Sequence, residues 1–373
     1  MTKDDIQKKA TDIWTTKGKR GLLAMATGTG KSKIAVDEAK REHKVRKNAF
    51  KALLIVPTTK LRDVTWAEEF AKWKGVDTWK AMDRECYASI AKIKGNSYDL
   101  VILDEAHYLT AANSVFFENN RVKNIMALTA TLPEDPLKRL MLDNLAPTVF
   151  KYTLEEAEAD GLIAPFNITV IEFPLDTTRK NIKSGSKAKP FMQTEKAKYD
   201  YLCTKIAKMY YSKVSDDVKK WAYFDRMRFI YNLPSKTRLA QKIIKERMSG
   251  RYLVFGGSIE QIDTLMHPYV YHSKTVDTYY TKFLNMEVDK LGAVKALNEG
   301  QNIPELDMIL VVQLNSKELD IIQRIGRVVR WRKGHTAEVI ILIASGTKDE
   351  EWLQKALQGF DDSKITFKKA YHI

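Results

Sequence analysis

The 373-residue sequence predicts an α/β protein of two units, each a parallel sheet covered by helices. Two sets of short runs carry that expectation. Residues 21–24, 53–56, 99–103 and 125–128 are almost continuously apolar, the pattern of strands buried on both faces. A second set stands at 167–173, 252–255, 293–297, 308–312 and 339–343, interleaved with helix-like stretches at 261–265 and 319–330. Only the first set carries a glycine-rich loop. The expected boundaries are therefore 1–150 for the first unit, an acid-rich connector at 151–165, and 166–373 for the second. The second unit holds a mainly helical basic insert at about 174–250.

The amphipathic stretch Ile6, Gln7, Ala10, Ile13 and Trp14 reads as a short opening helix. Between the first apolar run and a helix-like stretch at 33–40 stands Met25-Ala26-Thr27-Gly28-Thr29-Gly30-Lys31-Ser32. Strand, glycine turn, then Lys-Ser opening a helix is the layout of a phosphate-binding loop, although the full pattern wants glycine where Met25 stands. Gly28 and Gly30 let backbone N–H groups turn toward phosphate oxygens, and the helix N-terminus adds its positive end. Lys31 would reach the β- and γ-phosphates, and the Ser32 hydroxyl would ligate Mg²⁺. The plain alternative is a glycine-rich turn without a ligand.

The run at 53–56 ends in Pro57-Thr58-Thr59, that at 99–103 in Asp104-Glu105-Ala106-His107, and that at 125–128 in Thr129-Ala130-Thr131. Ligands of open parallel sheets sit beyond the carboxyl ends of strands. Lys31, Asp104, Glu105, Thr129 and Thr131 are thus expected at one site. There Asp104 would hold Mg²⁺ through its water shell, and Glu105 would orient and deprotonate an attacking water. Without the loop at Lys31, the pair would read as two solvated acids.

On a helix over 319–330, at about 100° per residue, Gln323, Arg327 and Arg330 fall within roughly a 60° arc. Ile321, Ile325, Val328 and Val329 lie opposite. The apolar face would pack on the sheet. The two arginines, with permanent charge and forked donors, suit a γ-phosphate.

A net charge of +15 and a pI near 9.4 favour a polyanionic partner such as nucleic acid. No apolar run approaches the roughly 18 residues of a membrane span, and residues 1–9 carry no signal-peptide pattern, so a cytoplasmic location is expected. Cys86 and Cys203 form neither a metal-type cluster nor a disulfide framework. The basic excess is concentrated. Residues 174–250 hold 19 Lys and Arg against 7 Asp and Glu, whereas residues 251–373 hold 16 of each. The insert also carries ten aromatic residues, which either pack in a helical pair or stack on bases.

The ordered motifs resemble those of the superfamily 2 helicases and translocases, with two RecA-like lobes. Residues 26–32 resemble motif I, Pro57-Thr58-Thr59 with Trp66 and Phe70 motif Ia, and residues 87–90 motif Ib. Asp104-Glu105-Ala106-His107 resembles motif II in its DEAH spelling and Thr129-Ala130-Thr131 motif III. Residues 254–258, 297–304 and 323–330 resemble motifs IV, V and VI. The resemblance implies ATP and Mg²⁺ as cofactors, bound between the lobes by Thr27, Gly28, Thr29, Gly30, Lys31, Ser32, Asp104 and Glu105, with Gln323, Arg327 and Arg330 from the second lobe. Gln7 would read the adenine, and Gly300 and Asn302 would lie near the ribose. His107, Thr129, Thr131 and Gln323 would couple the ATP site to movement. Thr58, Thr59, Ser89, Gly256 and Ser258 would touch the sugar-phosphate backbone, as would Lys205, Lys208, Lys219 and Lys220 of the insert, with Trp221 as a stacking platform.

The implied activity is an ATP-dependent motor on single-stranded, duplex or branched DNA, with DNA favoured over RNA by resemblance alone. Replication, recombination or nuclease proteins are the expected partners, and the compactness points to a phage or mobile-element member. A motor subunit of a nuclease or restriction assembly, a catalytically idle nucleic-acid-binding module and a metabolic phosphate-loop kinase are the alternatives.

Overall fold

In the first unit the apolar runs become the middle of a parallel sheet. The computed structural model describes residues 1–26, 28–130, 132–133, 135–162, 165–186, 188–211, 214–294, 306–314, 336–357 and 360–370. Six strands of the first unit, β1 (Arg20–Met25), β2 (Ala52–Val56), β3 (Asp83–Cys86), β4 (Ser97–Leu103), β5 (Arg121–Thr129) and β6 (Thr148–Tyr152), pair in the order β3-β2-β4-β5-β1-β6, all parallel. Leu22, Leu23, Leu53, Ile55, Val101 and Leu103 are fully buried. Each such side chain removed from water contributes about 1.5–3 kcal/mol.

Helices α1 (Lys3–Thr16), α2 (Lys31–Arg46), α3 (Trp66–Lys72), α4 (Val76–Lys80), α5 (Ala111–Asn119), α6 (Pro136–Leu145) and α7 (Leu154–Ala159) join these strands. Helix α1 opens with a capping box between Thr2 and Asp5 and buries Ile6, Gln7, Ala10 and Trp14 along one face. Its Trp14 Nε1 donates to the Ile125 carbonyl at 2.9 Å, which ties the helix to β5.

The acid-rich stretch expected as a connector is part of this unit. Lys151 and Tyr152 pair with β1, Thr153 caps α7, and Tyr152 Oη donates to Asp160 at 2.8 Å. The acids therefore surround an ordered helix and its cap.

The second unit holds a seven-stranded parallel sheet. Its strands are β7 (Phe166–Pro174), β10 (Tyr252–Phe255), β11 (Val270–Tyr271), β12 (Lys290–Ala293), β13 (Met308–Val311), β14 (Ala337–Ser345) and β15 (Ile365–Lys369), in the order β11-β12-β10-β13-β14-β7-β15. The strand expected at 293–297 lies earlier, at Lys290–Ala293, where pairing with β10 and β11 overrides the polar Lys290. Residues 295–305 and 315–335 lie outside the described residues.

After β7 the chain forms an antiparallel hairpin, β8 (Ile182–Gly185) and β9 (Pro190–Gln193), then helices α8 (Glu195–Tyr210), α9 (Asp216–Tyr231) and α10 (Pro234–Glu246). The stretch expected to be mainly helical thus begins with strands. Its last helix belongs to the sheet's core, because Leu239, Ala240 and Ile243 pack with Val254, Leu310 and Leu342. Two buried polar contacts fix this corner. Glu195, fully buried, accepts from Ser235 N at 2.7 Å, Ser235 Oγ at 2.6 Å and Asp176 N at 3.0 Å. Lys236, also fully buried, donates to Asp349 Oδ2 at 2.6 Å and Gln313 Oε1 at 2.7 Å, joining α10 to the helix Lys348–Ala356. Helices α11 (Ile259–Met266) and α12 (Thr278–Leu284) complete the unit. Among the described residues, no helix is long and apolar enough to cross a membrane.

Candidate active site

Three neighbouring strands of the first sheet, β4, β5 and β1, end side by side, and their carboxyl ends carry the expected residues. The loop after β1 turns through left-handed glycines, and Gly30 caps α2 at φ 94°. That φ favours glycine, and a side chain at Gly30 would also displace Gln7 Nε2, 2.0 Å away. Gln7 Nε2 donates to Thr29 O at 3.0 Å, while Gln7 Oε1 is buried without a hydrogen-bond partner among the described residues. The glutamine expected to face the base thus braces the phosphate loop with one end and keeps an acceptor at the other. Thr29 Oγ1 donates to Ala26 O at 2.7 Å and closes the turn.

Lys31 folds its ammonium back into the loop, donating to Met25 O at 2.8 Å and Ala26 O at 3.3 Å. Desolvation there pulls its pKa below the usual lysine range, opposed by the carboxylates of Glu105 and Asp104. Asp104 is pushed up to about 7, first by burial and then by Glu105; the Trp66 hydrogen bond and Lys31 act the other way. Trp66 Nε1 donates to Asp104 Oδ2 at 2.8 Å, and Tyr87 Oη donates to the Asp104 carbonyl at 2.9 Å. Glu105 follows in a left-handed turn at φ 49°. Its Oε2 lies 3.4 Å from His107 Nδ1, which also stands 3.0 Å from Thr129 Oγ1. Lys31, Asp104, Glu105, His107 and Thr129 therefore form one continuous polar site. Thr27 and Thr131 of the loop ends lie outside the described residues, as do Gly300, Asn302, Gln323, Arg327 and Arg330.

Trp66 and Tyr87, which in sequence belong only to the motif Ia and Ib resemblances, both hold Asp104. A contact across 38 residues leaves no local pattern. Several residues expected on a nucleic-acid backbone serve local turns. Thr58 Oγ1 accepts from Leu61 N at 3.4 Å, Ser89 Oγ donates to Glu85 Oε2 at 2.8 Å, and Ser258 caps α11 beside the buried Gly256. Thr59 is exposed. In the insert, Lys219 and Lys220 pair with Asp216 and Asp217 of their own helix at 3.3 and 3.6 Å. Lys208 is exposed and Lys205 half-buried; neither forms an ion pair among the described residues. Trp221 is 62 % exposed, its ring edge-on to Phe224.

The raised Asp104 pKa has a sign that can be tested. A carboxyl whose pKa rises on folding keeps its proton in the native chain after the unfolded chain has lost it, so stability falls as pH climbs through that interval. For Asp104 the interval runs from 3.8 to about 7. In EDTA, Asp104→Asn is expected to stabilise the protein at neutral pH, because the amide carries no charge to be desolvated beside Glu105. It should also flatten the loss of stability between these pH values, while turnover of nucleotide disappears. Urea unfolding across pH checks this; an unchanged or lower stability for Asp104→Asn would refute it.

The fold is that of two RecA-like units, each a parallel sheet flanked by helices. Residues 1–92 match the family described as the res subunit of type III restriction enzymes, and residues 235–332 match the conserved C-terminal domain of helicases. The chain is 25% identical to a DNA 3'-5' translocase, XPB2, of Sulfurisphaera tokodaii over 370 residues, covering 92% of this chain and 82% of the relative. Among solved structures it is similar to the type ISP restriction-modification enzyme LlaBIII bound to DNA, with a TM-score of 0.64 at 15% identity, covering 98% of this chain but only 31% of that one. It is also similar to Saccharomyces cerevisiae Dbp5 bound to RNA and ADP BeF3, with a TM-score of 0.58 at 13% identity over 98% of this chain and 89% of that one. The two family matches, in this order along the chain, and the translocase relative support a superfamily 2 helicase or translocase.

Proposed function

We propose that the chain is an ATP-dependent DNA motor, a helicase or translocase that couples hydrolysis to movement on or remodelling of duplex or branched DNA. The observation that carries this reading is the contiguous set Lys31, Asp104, Glu105, His107 and Thr129 at the ends of adjacent strands. The likeness to a DNA translocase over 92% of this chain points to the polymer.

In this reading the loop N–H groups and Lys31 hold the β- and γ-phosphates. The buried acceptor Gln7 Oε1 suits the exocyclic amine of adenine. A hydroxyl on Ser32 and a carboxylate on Asp104 are two hard oxygen donors, and Mg²⁺ commonly takes its other ligands from phosphates and water. When bound, the cation would neutralise charge between the β- and γ-phosphates. Glu105 orients the attacking water and takes its proton. His107 bridges Glu105 to Thr129, so a change in the base's charge reaches the end of β5. Arg327 and Arg330, by the motif they complete, are assigned to the γ-phosphate, with Gln323 beside them. Gly300 and Asn302 are assigned to the ribose.

Steady-state ATP turnover measured alone and with single-stranded, duplex and forked DNA and with RNA tests the reading. DNA is expected to stimulate turnover well above the polymer-free rate and above RNA. Turnover indifferent to every polymer would mark a metabolic phosphate-loop enzyme. DNA binding without turnover would mark an idle binding module. The match of residues 1–92 to the res subunit of type III restriction enzymes favours one second reading, a motor subunit of a nuclease assembly, in which the same turnover drives cleavage by a partner.

A further inference from the structure

The hairpin β8–β9 and the helices α8 and α9 enclose an open groove of about 770 Å³ within the basic insert. One face of α8 supplies Lys198, Tyr201, Leu202 and Lys205, spaced at i, i+3, i+4 and i+7 so that they line one side. The hairpin supplies Phe191, and α9 supplies Arg228. Two large rings stand open to solvent here, Phe191 at 55 % and Tyr201 at 56 %. Exposed apolar surface gathered in a groove and rimmed by polar residues marks an interaction site. Lys198 lies 5.4 Å from the centre of the Tyr201 ring, and neither Lys198 nor Lys205 forms an ion pair among the described residues. Arg228 pairs with Asp225 at 3.1 Å, the one acid among the lining residues, so the groove keeps a positive excess.

The hairpin is built to hold Phe191 there. Gly185 has φ +87°, and a side chain on it would meet Lys189 O at 2.3 Å and the Phe191 ring at 3.0 Å. Only glycine lets the turn close with the ring beside it.

We infer that this groove binds an unpaired stretch of DNA, with bases stacking on Tyr201 and Phe191 and phosphates against Lys198, Lys205 and Arg228. The inference deepens the motor reading of the preceding section and rests on it. The choice of unpaired over duplex DNA follows from the rings. A duplex keeps its base faces stacked inside and offers exposed rings nothing, whereas an unpaired base can lie flat on a ring beside a cation. The groove would make the insert a sensor of forks, gaps or tails. Of the residues expected from sequence to bind DNA, Lys205 lines the groove, whereas Lys208, Lys219, Lys220 and Trp221 do not.

The test uses the full chain and fluorescence anisotropy with a short oligo-dT and a blunt duplex. Tyr201→Ala and Phe191→Ala are each expected to weaken oligo-dT binding roughly 5- to 100-fold, the range for losing one base stack. Blunt-duplex affinity and polymer-free ATP turnover should not change. Tyr201→Phe, which keeps the ring, should bind as the native protein does. The double variant Lys198→Gln, Lys205→Gln should flatten the salt dependence of oligo-dT binding by about 0.7 in log–log slope for each phosphate no longer neutralised. Equal weakening on duplex and oligo-dT, or no weakening in any variant, overturns the groove assignment and leaves the rings to a protein partner. A native protein that binds duplex but not oligo-dT overturns the groove alone. A native protein that binds neither overturns the motor reading with it.

Discussion

Lys31→Ala is expected to lower nucleic-acid-stimulated ATP turnover by about 10²–10³-fold, the range for deleting one preorganised donor at a developing charge. Lys31 is the cation that offsets both Asp104 and Glu105 in the first unit. Removing it leaves two carboxylates facing the phosphates with no compensating charge from the loop, so repulsion rises in the ground state and still further in the transition state. The fold should survive. Burial already opposes the Lys31 charge, and alanine has a high intrinsic helix propensity. The melting temperature and polymer binding are therefore expected to stay near the native values. Stimulated turnover close to native would remove Lys31 from the chemistry and reduce the loop to a structural turn.

Glu105→Gln is expected to slow hydrolysis by about 10²–10⁴-fold, the contribution of a positioned general base, while ATP still binds. The amide keeps the size of the side chain and its hydrogen-bonding reach toward His107, but it cannot accept the proton of the attacking water. Asp104 should gain from the change, because Glu105 is the charge that, after burial, most raises its pKa. Nucleotide affinity is accordingly expected to hold or increase, giving a variant that traps the nucleotide. A fluorescent ATP analogue and single-turnover hydrolysis separate the two effects. Loss of analogue binding would instead give Glu105 a role in holding the loop or the cation. The left-handed backbone at Glu105 makes a second point. A non-glycine residue at φ 49° is unfavourable by itself, and here that turn carries the proposed base away from the line of β4.

The central strands, the glycine turn that opens α2, and the Asp-Glu-Ala-His and Thr-Ala-Thr ends are legible in the amino-acid sequence alone. Each of these is written in consecutive residues. A strand buried on both faces must be apolar throughout, and a phosphate loop needs its glycines, lysine and hydroxyl within a few positions of one another. The resemblance to superfamily 2 rests on the same local patterns in the right order, and the translocase relative agrees with it.

Tertiary structure decided what local patterns do not encode. Edge strands such as β3, with Asp83, Arg84 and Glu85, carry no apolar run, because one side of an edge needs no cover. The acids of 151–162 look like a linker in sequence, but the pairing of Tyr152 with Met25 draws them into the first unit. Helix α10 has the composition of the basic insert, yet its Leu239 and Ile243 face a sheet core and its Lys236 is neutralised by Asp349, 113 residues away. Trp66 and Tyr87 hold Asp104 from the ends of other elements. The groove exists only because a glycine-turned hairpin stands beside two helices, bringing Phe191 and Tyr201 together. Charge and aromatic content announced a nucleic-acid surface, but which lysines are left unpaired and which rings stay exposed depends on neighbours distant in sequence, and only folding sets those distances.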